Sequence, residues 1–135
     1  MSDKKAERLR GLKESRVVIE TLRALWPAAF PDKFRLVKPL KLRALADIVE
    51  RTGWTPAYAR GVLQGWKLRR AYCEAVLREN FRVDLNGEPV VEAVDEVARA
   101  IARKRLAEIA ARKAKQEAKL MAASSSQSNG VATPC

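Results

Sequence analysis

One stretch, TPAYARGVLQGWKLRRAYCEAV at Thr55–Val76, constrains the fold more than any other part of the chain. Thr55 is a good N-cap and Pro56 suits a first helical position, so a helix is predicted to begin there. Ala59, Val62, Leu63 and Trp66 then recur at i, i+3, i+4 and i+7 and form an inward face. Arg60, Gln64 and Lys67 fall on the other faces. Gly65 weakens the helix near its end, and a second short helix is predicted from about Arg69 to Leu77. Leu68, Tyr72, Ala75 and Val76 share one side of that piece, with Arg69 and Arg70 off it. An apolar ridge flanked by guanidinium groups, with an aromatic hydroxyl beside them, suits a phosphate backbone better than a small substrate.

The charge points the same way. The chain has 135 residues, enough for one domain, and carries a formal net charge of +11 with a pI near 10.2. Such an excess on a chain with a folded core implies a polyanionic partner, nucleic acid first. There is no histidine, which removes the commonest general base and metal ligand together. The two cysteines, Cys73 and Cys135, lie in a predicted helix and at the end of the tail, so neither a disulfide framework nor a zinc site is expected. No acidic cluster stands out. An enzyme, a cofactor, a metal and a small-molecule substrate are therefore not expected. No apolar run is long enough to span a membrane and the amino terminus lacks a signal peptide's apolar stretch, so a cytoplasmic protein without membrane contact is expected.

Residues 1–14 are charged, interrupted by Gly11, and read as a flexible basic arm. Ser15 can cap a helix that places Val18, Ile19, Leu22, Leu25 and Trp26 on its core side. The WPAAFP run at residues 26–31 is an aromatic-anchored corner, followed by a loop holding Lys33, Arg35 and Lys38. A helix is predicted from Pro39 or just after it, closed at Gly53, with Lys41 and Arg43 in an anion-attracting first turn. Phe81, Val83 and Leu85 alternate with Arg82 and Asp84, and Asn86-Gly87 signals a hairpin returning through Val90 and Val91. On that pattern Arg82 projects away from the apolar face, beside Asp84.

From about Ala93 to Leu120 the pattern is one long helix, with Val94, Val97, Ala98, Ile101 and Ala102 able to dock on the domain. Between Arg99 and Lys119 there are eight Lys/Arg against two Glu, a net of +6. The fold class expected is mainly α with a small β-hairpin. Its organisation is a basic arm at 1–14, a folded nucleic-acid-binding domain at 15–110, a solvated basic helix extension at 111–121 and a disordered tail at 122–135. Deleting the arm and the end of the chain is expected to leave that domain folded.

Several runs together resemble the ProQ/FinO family of RNA-binding proteins. They are LWPAAFP at Leu25–Pro31, KPLKL at Lys38–Leu42, Thr55–Leu63, Arg70–Tyr72, and RVDLNGEP at Arg82–Pro89. Their order and spacing span roughly Val18 to Arg105. The resemblance implies a compact, mostly helical domain with a hairpin and a concave basic face. It also implies binding to structured bacterial RNAs, typically the base of a terminator hairpin with its single-stranded 3′ tail, and RNA-chaperone activity on small RNAs and mRNA 3′ ends. Carried over by position, Lys41 matches the family's PLK lysine, Arg60 a central-helix arginine, Tyr72 the following tyrosine and Arg82 the arginine opening the hairpin. Arg103 matches an arginine of the last helix. Arg43 stands where the family commonly has glycine, and Ala71 replaces a frequent arginine, offset by Arg70 or Arg69.

The candidate RNA-binding set is thus Lys38, Lys41, Arg43, Arg60, Arg69, Arg70, Tyr72, Arg82 and Arg103, on a monomer. Tyr72 and Arg82 are expected to be removable with little loss of stability. The competing reading is a basic protein that docks the two helices around Gly65 on duplex DNA as a helix-turn-helix.

Overall fold

The structure is a computed structural model that describes residues 2–132, with side chains from 3 to 124. Its elements are α1 (Ser2–Leu25), a single 3-10 turn (Phe34–Leu36), α2 (Ala44–Thr52), α3 (Pro56–Lys67), α4 (Arg70–Arg78), β1 (Phe81–Val83), β2 (Pro89–Ala93) and α5 (Glu96–Ala132). The mainly α architecture with one antiparallel hairpin is as the sequence predicts. Thr55 caps α3 by accepting the Tyr58 amide at 3.2 Å, and Pro56 follows it at the first helical position. Asp95 caps α5 in the same way, its Oδ1 accepting the Ala98 amide at 2.8 Å. Gly53 closes α2 in the left-handed region at φ 76°.

The predicted basic arm is instead the first half of α1, and Ser15 sits mid-helix with its hydroxyl bonded to the Leu12 carbonyl at 2.9 Å. The cause lies in small residues. A Cβ at Gly11 would overlap the Tyr58 carbonyl, one at Gly61 the Arg8 carbonyl, and one at Gly65 the Ser15 hydroxyl. With hydrogen in those places, the backbones of α1 and α3 lie against each other. Arg8 Nη1 donates to Gln64 Oε1 at 2.9 Å and the Tyr58 hydroxyl to Glu14 Oε1 at 2.6 Å, which fixes the register. Residues 2–14 therefore cover α3, and their deletion would uncover Tyr58 and Val62.

The core gathers Leu22, Phe30, Leu40, Ile48, Val62 and Trp66, with Phe30 and Trp66 edge to face at 5.4 Å. The inward face predicted on α3 (Ala59, Val62, Leu63, Trp66) is buried. Val94, in the link before α5, and Ala102 on it are buried, while Val97 and Ile101 stay exposed, against expectation. The α5 helix meets the domain mainly along α4, which leaves those two positions off the contact. All side chains from Ala110 to Ser124 are exposed. Helix α5 continues to Ala132, past the start of the expected tail; residues 133–135, with Cys135, lie outside the described residues.

The hairpin turn is longer than Asn-Gly alone suggests. The Gly87 amide bonds the Asp84 carbonyl at 3.0 Å and the Asp84 amide the Glu88 carbonyl at 2.9 Å. Asn86 keeps negative φ and Gly87 takes φ 83°, so a turn through Leu85 and Asn86 is followed by a left-handed glycine. Asp84 Oδ1 accepts the amides of Asn86 and Glu88 and so organises the turn, and the strand register is irregular between Phe81 and Val83.

Candidate nucleic-acid interface

Pro39–Lys41 does not open a helix. It runs extended beside β1: the Lys41 amide donates to the Val83 carbonyl at 2.8 Å and the Val83 amide to the Pro39 carbonyl at 2.9 Å. Leu40, wholly buried between them, has its own backbone satisfied by two side chains. Its amide donates to the Tyr72 hydroxyl at 3.0 Å, and its carbonyl accepts Arg82 Nη1 at 3.0 Å. Tyr72 and Arg82 are only 5% and 6% exposed. Burial pushes the Tyr72 phenol up, opposed by the Leu40 amide and by Arg82 beside it. The expectation of two removable surface contacts is thus corrected: both side chains hold the Leu40 backbone. Arg82 points inward rather than beside Asp84 because the Leu40 carbonyl, with no strand partner on that side, needs its donor.

A pocket of about 190 Å³ opens beside this node. Tyr72, Arg82, Lys67 and Arg105 are among its lining groups, and Leu42 and Ile101, both exposed, form apolar lips. Burial lowers the Lys67 pKa, and Arg82 lowers it further. Arg105 Nε donates to the Leu68 carbonyl at 2.9 Å, which fixes its guanidinium at the pocket wall. Three cations thus face one pocket whose lining includes no carboxylate. Lys67 and Arg105 were not among the sequence candidates. The available signal was the i, i+1 pairing of Lys67 with the inward Trp66, which sets Lys67 at the edge of the core.

Arg105 also lines a second, open groove of about 670 Å³ with Arg16, Arg69 and Arg70. Desolvation lowers the Arg69 pKa, and Arg23 and Arg16 lower it further, with only Glu20 opposing them. Arg69 also lies over the Trp66 ring at 5.1 Å. Arg70 is exposed and pairs with Glu74 at 2.6 Å.

The remaining candidates lie elsewhere. Lys41 pairs with Asp47 at 2.7 Å, and that bond raises its pKa. Lys38 bonds Glu79 at 3.1 Å on the α4 side; Arg78 and Lys38 hold the Glu79 carboxyl below the usual carboxylate range. Arg43 is exposed at the N-cap of α2, so it precedes the helix rather than lying in its first turn. Arg60 lines a third cleft, with Lys4, Lys5 and Arg8. Arg103 is exposed on α5 and bonds Glu96. Pocket and groove, joined at Arg105 and Leu68, thus take in Arg69, Arg70, Tyr72 and Arg82, whereas Lys38, Lys41, Arg43, Arg60 and Arg103 stand apart.

Helix α4 buries Tyr72, Cys73, Ala75 and Val76 and packs along α5, with Arg70, Leu77 and Arg78 on its exposed side. Burial pushes the Cys73 thiol up, away from reactivity. Among the described residues no group of three or more His, Cys, Asp or Glu could hold a metal, and no helix is long and apolar enough to cross a membrane.

The model of the ProQ/FinO family matches residues 12–119. An NMR solution structure of a ProQ homolog from Legionella pneumophila is similar, with 27% identity and a TM-score of 0.54, over 67% of this chain and 79% of that one. No curated protein matches the chain.

Proposed function

This chain belongs to the ProQ/FinO family of RNA-binding chaperones, and from that premise we propose that it grips terminator-type hairpins with a single-stranded 3′ tail. The single observation that carries this reading is the wall shared by two basic concavities: Arg105 and Leu68 line both the open groove and the small pocket. A duplex stem presents phosphates and 2′-hydroxyls rather than base edges, so an open arginine groove suits it. The pocket combines apolar lips with Lys67, Arg82 and Arg105, which suits one base of the tail against Leu42 and Ile101 with its phosphate toward the cations. Lys41 stands next to the Leu40 node and steers the tail toward that pocket. Exposed Arg43, Arg60 and Arg103 stand apart from it and add phosphate contacts elsewhere along the RNA.

The protein acts by holding RNA, not by catalysis, and serves as a monomeric cytoplasmic chaperone in post-transcriptional regulation by bacterial small RNAs. A competition titration tests the reading. A tailed hairpin RNA should outcompete both its tail-less form and the same sequence as duplex DNA, with affinity falling steeply with salt. Equal affinity for RNA and duplex DNA would contradict it.

A further inference from the structure

The family match begins at residue 12, so the first half of α1 lies outside it, yet that half is docked on α3. Arg8 bonds Gln64, the Thr55 hydroxyl donates to Glu7 Oε2 at 2.9 Å, and the Arg8 carbonyl rests on Gly61. This docking brings Lys4, Lys5 and Arg8 to one side of a cleft of about 490 Å³ and Arg60 to the other. Glu7 is the one carboxylate in that lining, and it is held by Thr55. Among the described residues none of the four cations is in an ion pair, so four positive charges share one concavity. A bound polyanion relieves that repulsion.

The cleft and the groove lie along the same pair of helices. Both are walled by α1 and α3: the groove at residues 12–16 and 65, the cleft at 4–8 and 55–60. At 1.5 Å per helical residue the two are about 12 Å apart. We propose that the first half of α1 forms an added phosphate-binding cleft with Arg60, which extends the protein's hold along the stem of the RNA whose lower end lies in the groove. The proposal rests on the RNA-binding reading above. A phosphodiester backbone fits because it offers a run of charges at the separation the two concavities need.

The test uses the full chain with Lys4 and Lys5, both exposed, changed together to alanine. Two tailed hairpins are titrated, one with a short stem and one with the stem lengthened by a helical turn. The double variant should lose roughly tenfold in affinity for the longer RNA, and the slope of log K against log salt should flatten by about 1.4 to 1.8, two phosphate contacts' worth. Affinity for the shorter RNA and the thermal midpoint should not change. Equal loss on both RNAs, or none on the longer one, overturns the proposal. A wild-type protein that binds neither hairpin overturns the RNA-binding reading itself, so the two failures are distinct.

Discussion

The node around Leu40 and the groove beneath α1 use the same guanidinium chemistry to opposite ends. In the node, Arg82 is enclosed and its Nη1 completes the hydrogen bonding of the Leu40 carbonyl, while Tyr72 completes that of the Leu40 amide. In the groove, Arg70 is exposed, and its one partner is Glu74 a helical turn away. A buried donor that satisfies a backbone group cannot leave without orphaning that group, so Arg82 stabilises the fold whether or not RNA is bound. An exposed i, i+4 pair contributes only a few tenths of a kcal/mol, so Arg70 is free to exchange Glu74 for a phosphate. Position in the fold, not residue type, decides which arginine is available to a ligand.

The largest expected effect follows from enclosure. Arg82→Ala should lower stability by about 2–3 kcal/mol in chemical denaturation, because the Leu40 carbonyl is left buried and unpaired. A stability loss within experimental error would break the distinction between the two regions. Tyr72→Phe keeps the ring and removes only the acceptor of the Leu40 amide; a loss of about 1–2 kcal/mol is expected by the same measurement. Arg70→Ala should move stability by less than about 0.5 kcal/mol while weakening hairpin binding several-fold in a filter or anisotropy titration. The smallest effect is a pH dependence at Lys67. Its folded pKa lies below the ordinary 10.5, so it sheds its proton before an unfolded lysine does. Between those two values the unfolded chain binds more protons, and stability rises with pH. RNA affinity should fall over the same window as the pocket loses a charge. In Lys67→Arg, which keeps its charge there, the fall should be weaker.

The physics behind this contrast also decides what the sequence could disclose. The apolar period in α3, the Thr55 cap, the Gly53 stop and the hairpin signal are local, and each was legible. The first half of α1 was not, because Gly11, Gly61 and Gly65 read as helix weakeners one at a time and as a close contact only when α1 and α3 are paired. Arg82 misled for a related reason. Alternation placed it opposite Phe81 and Val83, but Phe81 is exposed while Arg82 turns to a carbonyl 42 residues away in sequence. Lys67 and Arg105 gain their place only when α5 packs against α4 and sets Arg105 across the pocket.

The central claim is that the pocket beside the node takes the RNA tail while the groove takes the stem. Lys67→Met tests it most directly, since methionine keeps the aliphatic stem of the side chain and removes only its charge. The variant should bind a tailed hairpin roughly tenfold more weakly, about 1.4 kcal/mol. Its affinity for the tail-less hairpin should match the wild type, and its thermal midpoint should be unchanged or higher because a desolvated charge is gone. Equal weakening toward both hairpins, or none toward the tailed one, would contradict the assignment of the pocket to the tail.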